Sequence, residues 1–435
     1  MQSKKCSTGL TAALTVLTVT LLMLAPRAVA QEKVLYDFNL NKYGATPQGG
    51  LITDTAGNLY GTASEGGPSN YTGTVFEFSP KTDGGWKYTV LHSFSDANSV
   101  KGGAEPYAGL ISDATGNLYG TTHIGGKYGY GTLFELVKPT TGTTWKFELL
   151  HSFDDNGTDG VNPAFASLVL DSAGNVYGTT PSGGANSAGI VFELVKPSTG
   201  TTWKEKILHT FNNPVDGTDG ATPSAGLAFD GKGNLYGTTT YGDTNGLYNA
   251  GTVFELSPTL SGGWNYVGVL HNFSNDTGDG SEPGSGSLLY DASNGVFYGT
   301  TTSGGANNLG TVFELSPNGS EGWNESVLYS FGSYSTDGVF PYSGLTLDTL
   351  GNLYGTTSQG GAGGGTGIGP GTVFELSPNG SEGWSESLLH SFTNNGTDGF
   401  EPYAGVVLDA FTGNLYGTTP GGGTYTYGTV YEVTP

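Results

Sequence analysis

Beyond residue 31 the apolar positions fall into short runs rich in Val, Leu, Phe, Tyr and Thr, each bounded by Gly, Asn, Asp or Pro. Runs of that kind form strands of packed sheets, and no stretch keeps the 3.6-residue apolar period of a helix. The unit that starts at Gly109 shows the order. Gly109-Leu110-Ile111-Ser112-Asp113 and Asn117-Leu118-Tyr119-Gly120-Thr121-Thr122 are the first two predicted strands. Gly131-Thr132-Leu133-Phe134-Glu135-Leu136 is the third, and the run from Trp145 to Phe153 is the fourth. Asp113 and Gly116 make the first hairpin: the carboxylate accepts turn N–H groups and glycine supplies positive φ. The same Asp recurs at positions 54, 171, 230, 291, 348 and 409.

A Tyr-Gly-Thr core repeats with Tyr at 60, 119, 177, 236, 298, 354 and 416. Seven units of about 59 residues, each of four antiparallel strands joined by short hairpins, predict an all-β fold, a seven-bladed β-propeller spanning 31–435 as one domain. The last unit stops after its third strand, at Tyr431-Glu432-Val433-Thr434-Pro435. Residues 34–38 match a fourth strand, with Leu35, Tyr36 and Phe38 aligned to Leu91, His92 and Phe94. The N-terminal strand is therefore expected to complete the last blade and close the ring, leaving no raw sheet edge.

Residues 1–30 read differently. A basic start (Lys4, Lys5), an apolar stretch and Ala28-Val29-Ala30 form the three-part pattern of a secretory signal, with cleavage expected before Gln31. The single cysteine, Cys6, would leave with it, so no disulfide is expected. After residue 30 there are 12 lysines, no arginine and 38 acids, a net charge of −26. No Lys or Arg follows Lys232, while residues 233–435 hold 18 acids. Nucleic acid is not expected as a partner, since it needs a cationic footprint, and anionic membrane surfaces are disfavoured for the same reason. With no further apolar run of membrane length, the expectation is a soluble monomer, secreted or held in the periplasm or cell envelope.

The string Gly351-Asn352-Leu353-Tyr354-Gly355-Thr356-Thr357, followed by Gly371-Thr372-Val373-Phe374-Glu375-Leu376-Ser377-Pro378, resembles the hallmark of the GloVer tandem repeat. The resemblance recurs seven times and covers residues 32–435. It implies an exported protein, often with a sorting anchor at its end. None follows Pro435 here, which favours a soluble form. It implies no particular reaction.

Candidate chemistry is sought where the repeat breaks. Glu77, Glu135, Glu193, Glu255, Glu314, Glu375 and Glu432 recur in every third strand and read as structural. Trp86, Trp145, Trp203, Trp264, Trp323 and Trp384 open six fourth strands and read as packing between blades. His92, His151, His209, His271 and His390 share a position that Tyr36 and Tyr329 fill elsewhere, an aromatic-polar packing slot, while His123 stands alone. Two loop families vary. The loops after the second strands carry Tyr128, Tyr130, Tyr241, Tyr248, Tyr425 and Tyr427, expected to meet a ligand. The loops into the first strands carry Asp159, Asp219, Asp279, Asp337 and Asp398. These are expected near the channel mouth as weak sites for calcium or a cationic group, with turn formation as the alternative. The expectation for function is a non-catalytic binding or scaffold propeller for an extracellular glycan or protein. A polysaccharide lyase or hydrolase with channel-mouth carboxylates, or a purely structural envelope component, are the alternatives.

Overall fold

The computed structural model describes residues 30–435 except 41–42, 69–71, 96–101, 164, 166, 213–218, 243–249, 275, 285, 320–321 and 363–368. The expected leader lies outside the described residues save for Ala30, and the cleavage reading falls at that boundary.

Seven antiparallel sheets succeed one another along the chain and form the blades of a propeller. A short 3-10 turn spans Gly380–Glu382. Blade two is representative: Ile111–Ser112 pairs with Leu118–Thr122, that strand with Thr132–Val137, and that in turn with Lys146–Ser152. The innermost strand is shorter than the sequence predicts. Gly109 instead backs onto the neighbouring blade, where a Cβ would stand 2.9 Å from the Gly50 carbonyl oxygen. In the outer pair the register slips between Leu133 and Phe134, a bulge that most blades repeat at the equivalent position.

The ring closes as expected. Gln31–Asp37 pairs antiparallel with Thr429–Thr434, from Gln31 opposite Thr434 to Asp37 opposite Thr429. Across the same seam, Thr418 Oγ1 donates to the Gly49 carbonyl (3.1 Å) and the Tyr36 ring stacks on Tyr88 at 4.6 Å. Phe38 is fully buried beside Phe76.

Each core cluster lies between two blades. Tyr119, Leu133 and Phe153 of blade two pack with Leu168, Val176, Phe192 and Leu194 of blade three. The tryptophans do what their spacing predicts. Trp145 meets Tyr60 edge-on at 6.1 Å, Trp203 meets Tyr119, and Trp264 meets Tyr177, always across a blade boundary. At the one boundary without a tryptophan, Ala30 joins the cluster that contains Tyr354. The recurring glutamates are also structural: the Tyr119 hydroxyl lies 2.9 Å from Glu135 Oε1 and 3.2 Å from Asp113 Oδ2.

The residue before the third strand must be glycine. Gly131 has φ +99°, and a Cβ there would meet the Thr122 carbonyl at 2.5 Å and the Pro163 ring of the next blade at 2.8 Å. The two variable loop families hold each other. Gly103–Ala104 pairs with Ile124–Gly125, Gly160–Val161 with Ser182–Gly183, and Gly338–Val339 with Gln359–Gly360. Both families therefore share one face of the disc, as the alternation of hairpins requires.

Candidate functional site

On that face the lead-in to each innermost strand follows one plan: a residue at positive φ, a proline, then a residue that meets the channel. Thr46, Glu105, Asn162, Thr222, Glu282, Phe340 and Glu401 all hold φ between 54° and 59°. Their N–H groups donate to the preceding blade, as in Glu105 to Thr72 O (3.0 Å) and Phe340 to Leu309 O (2.9 Å). Seven non-glycine residues in a sparsely populated region need this outside support. The device leaves the segment beyond the proline little freedom.

The residues that this device presents to the channel are not uniform. Gln48, Tyr107, Tyr342 and Tyr403 follow the proline in blades one, two, six and seven and line the channel, as does Phe165, one residue further along in blade three; Ser224 and Gly284 follow the proline in blades four and five. Tyr107 packs on Phe165 at 5.5 Å and Tyr342 on Tyr403 at 5.6 Å. In a ring of seven these two aromatic pairs stand on roughly opposite sides of the channel, with the small or amide side chains in the gaps. Below them lies a cavity of about 740 Å³. Leu51, Ile111, Val169, Leu227, Leu289 and Val406 are among its walls, with glycine and serine backbone between. Apart from tyrosine, no residue lining it is ionisable among the described residues. Carboxylates stand beside the rim: Glu105 Oε2 accepts from the Tyr107 hydroxyl at 3.3 Å. Burial and Glu105 together push that phenol up to about 12.

The six tyrosines chosen from the sequence fare unevenly. Tyr128, Tyr130, Tyr241, Tyr425 and Tyr427 are exposed on this face, and Tyr248 lies outside the described residues. They sit on blades two, four and seven and none lines the cavity. Tyr241 acts on the rim, since with burial and Glu282 it raises the Tyr342 hydroxyl, and the Tyr130 and Tyr427 carbonyls accept from the lead-in N–H groups of Asn162 (2.8 Å) and Thr46 (2.9 Å). The aromatic rim itself went unnoticed in the sequence. Its signal was there for three of the four rings: Pro-Tyr at 106–107, 341–342 and 402–403 against Pro-Gln, Pro-Ala, Pro-Ser and Pro-Gly in the other units.

The five aspartates do not stand at the channel mouth, which corrects that expectation. Each sits against the outermost strand, where it binds the residue of the histidine slot. Asp159 Oδ2 is 3.2 Å from His151 Nε2, Asp219 Oδ2 is 2.8 Å from His209, Asp279 Oδ1 is 3.2 Å from His271, and Asp398 Oδ2 is 3.3 Å from His390. Asp337 Oδ2 accepts from the Tyr329 hydroxyl at 2.8 Å. Each also accepts a backbone N–H at the strand end, as from Ser274 to Asp279 (2.8 Å) and Thr393 to Asp398 (2.8 Å). All but Asp279 are buried. Their geometry includes turn making but exceeds it.

The slot looks across to the outer strand of the next blade. Where that blade offers a ring, the two stack: Tyr36 on Tyr88, His92 on Phe147 at 4.4 Å, His209 on Tyr266 at 4.0 Å. Elsewhere the next blade offers Glu205, Glu325, Glu386 or Glu32. His151, Asp159 and Glu205 then form one cluster, His271, Asp279 and Glu325 a second, and His390, Asp398 and Glu32 a third. Burial first, and the neighbouring aspartate second, push Glu325 and Glu32 up to about 7.

Among solved structures, a Bacteroides uniformis protein described as a putative 6-phosphogluconolactonase is similar at 13% identity, over 78% of this chain and 83% of that one, with a TM-score of 0.47. A luciferin-regenerating enzyme (13% identity, 93% and 95% covered, TM-score 0.42) and the calcium structure of a Trichoderma reesei protein of carbohydrate-active enzyme family AA12 (12% identity, 94% and 96% covered, TM-score 0.41) are similar as well. No curated protein matches the sequence. The Gloeobacter/Verrucomicrobia repeat matches residues 87–290 and 243–435, most of the blades just described, and the chain belongs to that repeat family.

Proposed function

We propose that the protein is an exported binding propeller whose ligand is a neutral glycan lying across the channel mouth. The observation that carries this is the pair of aromatic clamps, Tyr107 with Phe165 and Tyr342 with Tyr403, facing each other over an uncharged cavity. Flat rings at this spacing accept the apolar faces of sugar rings, and the polar edges of Tyr serve their hydroxyls. Glu105, held at the Tyr107 hydroxyl, adds an acceptor at the rim. A chain with 38 acids against 15 basic residues repels polyanionic glycans, so the partner is uncharged. The gaps at Gln48 and at Ser224 and Gly284 let a chain enter and leave the mouth.

Binding of neutral oligosaccharides on a glycan array, followed by calorimetry on the best one, tests this. Tyr342→Ala/Tyr403→Ala is expected to weaken binding by at least about tenfold, the effect of losing two stacking platforms. Absence of any neutral glycan hit, or equal affinity in the double variant, would defeat the reading. Release of reducing ends from a bound oligosaccharide would replace it with a hydrolase.

A further inference from the structure

We propose that the three inter-blade clusters His151/Asp159/Glu205, His271/Asp279/Glu325 and His390/Asp398/Glu32 are divalent transition-metal sites, best suited to Zn²⁺, that rivet neighbouring blades together. Each takes its ligands from three segments: the outer strand of one blade, the loop that leaves it, and the outer strand of the next. In each, one imidazole nitrogen and two carboxylate oxygens lie within 4.8 Å of one another. Tetrahedral Zn–N and Zn–O bonds of about 2.0–2.1 Å would set such atoms about 3.3 Å apart. In the first cluster His151 Nε2 is 3.2 Å from Asp159 Oδ2 and 3.6 Å from Glu205 Oε1. The equivalent imidazole–aspartate distances in the other two are 3.2 and 3.3 Å.

A second observation points to a missing cation. Glu205 Oε1, Glu325 Oε1 and Glu32 Oε1 are buried and have no hydrogen-bond partner. The same atom is left over in all three clusters, and it is the one that would complete the ligand set. Charge agrees: in each cluster two carboxylates face a single imidazole, and no Lys or Arg follows Lys232 in the chain. Calcium fits less well, because it prefers six to eight oxygens and no imidazole. The histidines remain about one fifth exposed (20%, 21% and 18%), so an ion reaches them from the blade edge.

The remaining slots act as internal controls. In blade five Tyr329 stands where the histidine would be. There its hydroxyl donates to Asp337, and the Tyr334 hydroxyl donates to Glu386 Oε2 at 2.6 Å. Each carboxylate accepts from a phenol, Asp337 Oδ1 alone stays without a partner, and no imidazole is present to complete a ligand set. His209 and Asp219 face Tyr266, and His92 faces Phe147, so among the described residues neither has a third ligand.

Untagged full-length protein, treated with chelator, equilibrated with ZnCl₂ and passed over a desalting column, is expected to retain three zinc ions per chain by elemental mass spectrometry. Glu32→Gln, Glu205→Gln and Glu325→Gln should each remove one, and Glu386→Gln none. X-ray absorption should show nitrogen and oxygen neighbours with one imidazole per metal. Retention of less than one ion per chain, or equal zinc in the triple Gln variant and the parent, would overturn the proposal. So would a sulfur scatterer, which would place the metal on Cys6.

Discussion

His92 should make the protein acid-sensitive, and replacing it should remove much of that sensitivity. It sits in the outer strand Trp86–Ser93, stacked on Phe147 of the next blade at 4.4 Å and edge-on to Phe94 at 4.8 Å. Four of its equivalents have an Asp-Gly pair before the innermost strand, and here Gly102-Gly103 stands at that position. Burial alone therefore acts on it and pushes the imidazole from 6.5 down to about 4. Between those values the unfolded chain binds a proton that the folded chain refuses. Stability from this group is thus complete above 6.5 and is lost as the pH falls towards 4. At pH 4.5, two units below the unfolded value, the loss is about 2.5 kcal/mol, or about 2 kcal/mol allowing for the edge of the ring that meets solvent. His92→Tyr keeps a stacking ring, the choice made in this slot by Tyr36 and Tyr329. It does not titrate in acid. Urea unfolding of both proteins at pH 7.5 and pH 4.5, followed by tryptophan fluorescence, isolates the term, because all other titrations are common to the two. The stability of the variant relative to the parent should rise by about 2 kcal/mol on going to pH 4.5. A change below about 0.5 kcal/mol would mean that the imidazole charges without penalty and that the packed, neutral histidine is wrong.

Two further outcomes rest on the geometry. Deleting residues 31–39 removes every partner of Thr429–Thr434 on its outer side and the fully buried Phe38, so a loss of at least about 5 kcal/mol is expected. Thermal unfolding by circular dichroism measures it, and an unchanged midpoint would contradict the closed ring. Asp113→Ala removes the acceptor for Thr115 N (2.9 Å), Asn117 N (3.0 Å) and Asn117 Nδ2 (3.1 Å), and should cost about 1–3 kcal/mol at neutral pH. Although burial opposes it, these bonds hold the Asp113 carboxyl below its usual 3.8, so the stabilisation is present above that value and fades below it. A difference between parent and variant that persists undiminished at pH 2.5 would show that the carboxylate charge is not what the turn uses.

The fold was legible because its determinants are local and repeated. Asp113, Gly116 and Tyr119 specify one hairpin within seven residues, and the same hairpin recurs in five of the seven units, with one residue more in the turns that start at Asp291 and Asp409. The closing strand was legible for a related reason: a unit short of one strand and a spare matching strand at the other end of the chain leave one economical pairing, and Gln31–Asp37 makes it. Chemistry that spans two blades was not legible in that way. His151, Asp159 and Glu205 are separated by 54 residues from first to last, and each belongs to a column that reads as packing or turn when taken alone. The third column, Tyr88, Phe147, Glu205, Tyr266, Glu325, Glu386 and Glu32, drew no attention because it mixes rings and acids. Only the ring of blades brings the columns together, and the mixture then acquires a rule. Where the facing residue is a ring, the slot stacks; where it is a glutamate, an aspartate is always present as well. A carboxylate is placed opposite the slot only where a second carboxylate already waits, which is the reverse of what charge repulsion alone would select. In one of these slots two phenols donate to the carboxylates; in the other three an imidazole and an unpaired glutamate oxygen are turned towards the place a cation would take.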